Sequence, residues 1–267
     1  MQGLSRHATL ADLRARIETI EKRPLLADAG TPAVTQSGRS FRLPGGMLHE
    51  IFTDSHRNAG SALGFALGAA RGLLRAERPA IVYMQMSSDT SETGLPYAAG
   101  VAAFGLDPEA VILIRTATIM ELLWAAEEAL ACRPVAAVIA DIGSNPKALD
   151  FTASRRLGLR VAENGGTFLL LRYGPGRNAS AARLRWHLSP QLSGEMPFDP
   201  NAPGESRWRL SLEKGLWQGK PNGEWLLGWT KNGFDILDTP DTGRAAAAAP
   251  MARAFPAALG DRLSQTA

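Results

Sequence analysis

Two near-continuous apolar runs constrain this chain most, VAAVIA at residues 135–140 and TFLLLR at 167–172. Runs of that length without polar alternation belong to strands covered on both faces, and such strands sit inside mostly parallel sheets. The neighbouring segments fit. Strands are predicted at 46–52 (GMLHEIF), 80–86 (AIVYMQM) and 110–115 (AVILIR), with helices between them at 61–75, 96–104, 118–132 and 152–163. In the first helix Leu63, Leu67, Ala70 and Leu74 share one side. Thr118 with Glu121 makes a capping box at the start of the third, and Gly165 and Gly166 stop the last. Strands and helices in this alternation specify an α/β fold, a mostly parallel sheet between helical layers.

The pattern changes after Tyr173. Residues 183–188 and 207–213 alternate apolar and polar, 224–230 is a further short strand, and Asn222-Gly223 marks a turn before it. These are expected as antiparallel strands extending the sheet at one edge, within a core of residues 41–238. Ahead of the core, residues 1–23 hold an amphipathic helix. Thr9 and Asp12 form a capping pattern, and Leu10, Leu13, Ile17 and Ile20 make one apolar stripe. Residues 24–40, with Pro, Gly, Thr and Ser and no clear period, read as a linker. Each large apolar side chain of the stripe gains about 1.5–3 kcal/mol on burial, against a few tenths for an exposed ion pair. The stripe therefore decides where this helix docks, on its own core or on another chain. Residues 239–267, rich in Ala and Pro without caps, are expected to be disordered.

One glycine repeat needs a reason. Gly60, Gly64, Gly68 and Gly72 recur every four residues from the start of the first core helix, and a glycine in a helix interior costs about 1 kcal/mol relative to alanine. Close approach of a neighbouring element is the expected cause. The single cysteine, Cys132, excludes an internal disulfide, fits a reducing compartment and reads as a small core residue. No apolar run is long enough to cross a bilayer, and no secretory signal is evident, so the expected location is cytoplasmic. Net charge is only +3, but basic residues outnumber acids about two to one between 151 and 231. Such asymmetry suits a phosphate-attracting surface or simply a solvated one.

Catalytic arrangements are hard to find. His7, His49, His56 and His187 are too scattered for a metal motif, and Ser144 and Ser154 lack a nucleophile elbow. Glu127 and Glu128 are adjacent and point to different helix directions. The natural phosphate position in such a fold is the loop after the first strand, here TDSHRNAGS at 53–61. A working phosphate loop needs glycines, a lysine and then Ser/Thr; this loop has no such sequence. No cofactor or metal is expected.

Several segments carry a family resemblance. LPGGMLHEIF at 43–52 resembles the strand entering the phosphate loop of RecA-type recombinases. Together with PYAAGVAAFGLDP (96–108), LWAAEEAL (123–130) and DFTASRRLGLRVAENGGTFLLL (150–171), it resembles the ImuA family over about residues 43 to 185. These are small RecA-like proteins of bacterial inducible-mutagenesis cassettes. The resemblance implies a RecA-like sheet and a degenerate phosphate loop. The loop lysine falls at or near Ala59 and the following hydroxyl on Gly60, with Ser61 one place late. Asp141 stands at the acidic strand end, and the catalytic glutamate position falls near Gln85-Met86-Ser87.

The resemblance further implies an accessory role, without enzymatic activity, in translesion synthesis during the SOS response to DNA damage. The implied partners are ImuB, RecA and an error-prone C-family DNA polymerase. Leu13, Ile17 and Ile20 are the partner-contact candidates. DNA is a second candidate partner, through Arg155, Arg156 and Arg160 on one predicted helix and Arg183, Arg185, Arg207 and Arg209 on the edge strands, although paired arginines also serve solubility. The alternatives are a noncanonical nucleotide hydrolase and a SulA-like inhibitor of cell division.

Overall fold

The computed structural model describes residues 39–196, 198–218 and 221–238. The predicted N-terminal helix with Leu13, Ile17 and Ile20, nearly all of the linker and the tail lie outside the described residues. In chain order the elements are β1 (Ser40–Phe41), β2 (Leu48–Thr53), α1 (Ala59–Arg71), β3 (Ala80–Met86), α2 (Ser87–Thr93) and α3 (Ala98–Ala103). They continue with β4 (Val111–Thr116), α4 (Ile119–Ala131), β5 (Val135–Ile142), α5 (Phe151–Asn164) and β6 (Thr167–Tyr173). The last six strands are β7 (Leu184–Gln191), β8 (Glu195–Met196), β9 (Asp199–Pro203), β10 (Arg207–Lys214), β11 (Glu224–Thr230) and β12 (Gly233–Leu237).

Ten of these strands form one sheet in the order β1-β12-β11-β10-β7-β2-β6-β5-β3-β4. The run from β7 to β4 is parallel throughout, and β10, β11, β12 and β1 continue it antiparallel. This is the α/β, RecA-like arrangement expected. β8 and β9 make a separate hairpin. The expectation that all late strands are antiparallel needs one correction: β7 runs parallel to β2, His49 opposite Leu184. Alternation identifies a half-buried strand but carries no information about its direction.

The apolar runs do what their composition requires. Every residue of β5 is buried, and side chains alternate between two cores. Ile51, Ile81, Tyr83, Ile139 and Leu171 face α1 with its Phe65 and Ala66. Leu48, Val82, Val138 and Leu170 face α4 and α5 with Leu122, Leu130 and Leu157. The capping box of α4 is formed, with Glu121 N donating to Thr118 Oγ1 at 3.2 Å and Thr118 N to Glu121 Oε2 at 3.3 Å. α5 starts on Asp150, whose carboxylate accepts from Ala153 N at 2.8 Å, and ends on left-handed Gly165.

The glycine repeat divides. A Cβ on Gly64 would lie 2.7 Å from the Phe104 ring, and one on Gly68 would lie 2.7 Å from both Trp229 and Phe234. A Cβ on Gly60 would meet nothing within 4 Å. Close approach therefore explains the middle pair only. Cys132 is exposed just past the end of α4 and is not the core residue expected. No helix among the described residues is long and apolar enough to cross a membrane.

Candidate functional site

Open α/β sheets bind ligands beyond the carboxyl ends of their strands. Here that rim is formed by the segments following β2, β3, β5 and β6. After Thr53 the chain enters a single 3-10 turn at His56–Asn58 and passes directly into α1. Ser55 caps the turn by accepting from Arg57 N at 3.2 Å. The place of a phosphate-loop lysine is the buried methyl of Ala59. The Ser61 hydroxyl accepts from Trp208 Nε1 at 2.9 Å, which ties the start of α1 to β10.

Asp141, on β5, is buried at the centre of this rim. Its two oxygens are each occupied: Tyr83 Oη donates to Oδ2 at 2.8 Å, and Tyr173 Oη donates to Oδ1 at 2.7 Å. Burial raises the Asp141 pKa, and the two hydroxyls oppose that shift. Burial, reinforced by the neighbouring carboxylate, pushes both tyrosines above their ordinary value, so both remain donors. The His56 ring stands edge-on to Tyr173 with centroids 4.6 Å apart, and its Nδ1 lies 3.5 Å from Glu92 Oε2. Asp89 accepts from Gly143 N at 3.0 Å. A Cβ on Gly143 would sit 2.8 Å from His56 Nε2 and 3.1 Å from Asp89 Cγ. The loops after β2, β3 and β5 thus close on one another.

The position of a catalytic glutamate is equally committed. Gln85 donates to Thr93 Oγ1 at 2.7 Å and accepts from Thr90 Oγ1 at 3.2 Å. It fastens α2 to the end of β3. A cavity of about 250 Å³ opens elsewhere, between β1, the end of α1 and the β11–β12 turn, and none of these rim residues lines it. No group of three or more potential metal ligands occurs among the described residues.

A second polar cluster was not foreseen. Glu50, in the middle of β2, is buried with Arg172, and the partly buried Arg185 pairs with it. Arg185 Nε and Nη2 meet Glu50 Oε2 at 2.9 and 2.8 Å, and Ser180 Oγ donates to the same oxygen at 2.7 Å. The Arg172, Arg177 and Arg185 guanidinium carbons lie 5.6, 4.0 and 5.4 Å from the Phe52 ring centroid. Arg177 also pairs with Glu213 at 2.8 Å, and Arg172 donates to Asn145 Oδ1. The available signal was a glutamate set among Leu48, Ile51 and Phe52 in one strand, since a buried charge requires a partner.

The arginines expected on an outer surface separate accordingly. Arg185 faces inward onto Glu50, which corrects its placement beside Arg183 on an open strand face; Arg183 is exposed and precedes β7. Arg207 and Arg209 lie on β10 and pair with Glu205 and Glu224, each at 2.6 Å. Arg156 pairs with Glu127 at 2.8 Å and Arg160 lies 3.5 Å from Glu163, while Arg155 is exposed on α5. Exposed pairs of this kind contribute about 0–1 kcal/mol.

No protein-family model matches the chain. Protein ImuA of Caulobacter vibrioides, in each of two strains, is 30% identical to it over 217 residues, covering 74% of this chain and 81% of the relative. At that identity and coverage, on this fold, the chain belongs to the ImuA family.

Proposed function

We propose that this chain is a non-catalytic accessory protein of SOS-induced mutagenic translesion synthesis, acting by binding ImuB, RecA or both beside an error-prone C-family polymerase. Family membership supports the pathway. One observation carries the non-catalytic part: Asp141 gives one oxygen to Tyr83 and the other to Tyr173, in a rim where His56 and Asp89 press on Gly143. A hydrolase of this fold needs an open carboxylate there, with a lysine and a hydroxyl on the facing loop. This chain has the buried methyl of Ala59 and then Gly60 in those positions, and Ser61, one place later, is held by Trp208.

The binding surface is assigned to the N-terminal stripe of Leu13, Ile17 and Ile20. The experiment is capture of purified ImuB and RecA from the same organism by the full chain and by a Leu13→Asp/Ile17→Asp variant. Capture by the wild type and its loss in a variant of unchanged circular dichroism is the expected result. Absence of capture of either partner at micromolar concentration overturns the assignment. DNA contact through Arg155 and Arg183 is a secondary part of the reading. It requires sequence-independent affinity that falls steeply with salt.

A further inference from the structure

β4 is the last strand of the ten-stranded sheet, so among the described residues the backbone N–H and C=O groups along its outer side have no strand beside them. Sheets commonly blunt such an edge with lysine, proline or a covering element. β4 instead reads VILIRT, and Ile112 and Leu113, which point to opposite faces, are 50% and 44% exposed. An apolar edge left open on both faces is suited to pairing with another strand.

We propose that β4 pairs antiparallel with β4 of a second copy of this chain about a two-fold axis, joining the two sheets. The charges at the ends of the strand select this occupant and this direction. Glu109 lies just before β4 and Arg115 near its end. Both are exposed, and neither makes an ion pair among the described residues. A parallel arrangement would set Glu109 beside the partner's Glu109 and Arg115 beside the partner's Arg115. Antiparallel pairing centred on Ile112 sets Glu109 against the partner's Arg115, and the two-fold axis repeats that ion pair.

The described residues begin beside β1, at the opposite extreme of the strand order from β4. Crossing nine strand spacings is about 43 Å at about 4.8 Å each. Residues 22–38 would need most of their extended length for that path, at about 3.3 Å per residue. A six-residue edge is a small interface, so the association belongs in the micromolar range.

Sedimentation velocity on the purified full chain tests this without ImuB, RecA or DNA, so its outcome is separate from the accessory role. The 28.5 kDa chain is expected to shift towards twice its mass as concentration rises through the micromolar range. Ile112→Lys, at a half-exposed position, is expected to leave circular dichroism unchanged and to abolish the shift. Glu109→Arg and Arg115→Glu are each expected to weaken association about tenfold, and the double exchange to restore it. A chain that stays monomeric, or a dimer indifferent to Ile112→Lys, overturns the proposal. Failure of the double exchange to restore association overturns the two-fold antiparallel arrangement.

Discussion

His49 shows how one buried side chain fixes both a tautomer and a pH dependence. Trp186 Nε1 can only donate, so His49 Nδ1 accepts it at 3.2 Å, and Nε2–H donates to Pro44 O at 2.8 Å. Burial lowers its pKa from 6.5 to about 4, with the Pro44 contact acting in the opposite direction. A lowered histidine pKa means that the unfolded chain binds the proton more tightly. The stability it confers is therefore complete above pH 6.5 and is lost as pH falls towards 4, by about 3 kcal/mol in all. Urea midpoints of the wild type are expected to fall over that interval, and those of His49→Gln to fall less. Asp141 acts with the opposite sign, because its raised pKa favours the protonated native state as pH drops. Its two donors make a separate expectation. Asp141→Ala leaves two buried tyrosine hydroxyls without their acceptor and should cost about 2–4 kcal/mol, whereas Asp141→Asn keeps an acceptor and should cost about 1 kcal/mol or less. Chemical denaturation of both variants at neutral pH distinguishes these values. An equal, large loss in both would contradict the hydrogen-bonding account.

At the scale of elements, α1 gives the sharpest contrast. Gly68→Ala gains about 1 kcal/mol of helix propensity. It also forces a Cβ to within 2.7 Å of Trp229 and Phe234, and overpacking of that kind costs about 1–3 kcal/mol. The net is expected to be destabilising. Gly60→Ala meets open space and should stabilise by about 0.5–1 kcal/mol. Thermal unfolding of the two variants should move in opposite directions, and equal shifts would exclude close approach as the reason for the repeat. The same distinction separates what was legible in the sequence from what was not. β5, β6 and the α4 capping box are local signals, continuous apolar runs and a Thr–Glu spacing, and each formed where it was expected. α2 was not legible, because SSDTSET has no apolar period; its helix is held by Gln85 hydrogen bonds from the end of β3. The direction of β7 and the pairing of β12 with β1 depend on distant partners that alternation alone does not name. In the candidate site, the missing lysine and the position of Asp141 were readable one residue at a time. The convergence of Tyr83 and Tyr173 on Asp141, from three different strands, was not.

Across the whole molecule, an aromatic cluster joins the antiparallel extension to the parallel core. Phe41, Trp186, Trp217 and Trp225 pack together, with centroids 4.8 to 6.4 Å apart, and Phe65, Trp208, Trp229 and Phe234 continue the cluster along α1. Large aromatic side chains contribute most of their stabilisation by area buried. The added strands are therefore a structural part of the core, and the anchoring of Ser61 by Trp208 extends that coupling to the loop after β2. On the proposed accessory function, a rim closed by its own side chains predicts partner binding that is independent of nucleotide. The direct measurement is the affinity of the purified chain for ImuB, titrated with and without ATP and magnesium, for the wild type and for Asp141→Asn. Equal affinity in all four conditions is the expected result. Binding that requires ATP, or that Asp141→Asn abolishes while the fold is retained, would contradict the account and restore a working nucleotide site to this chain.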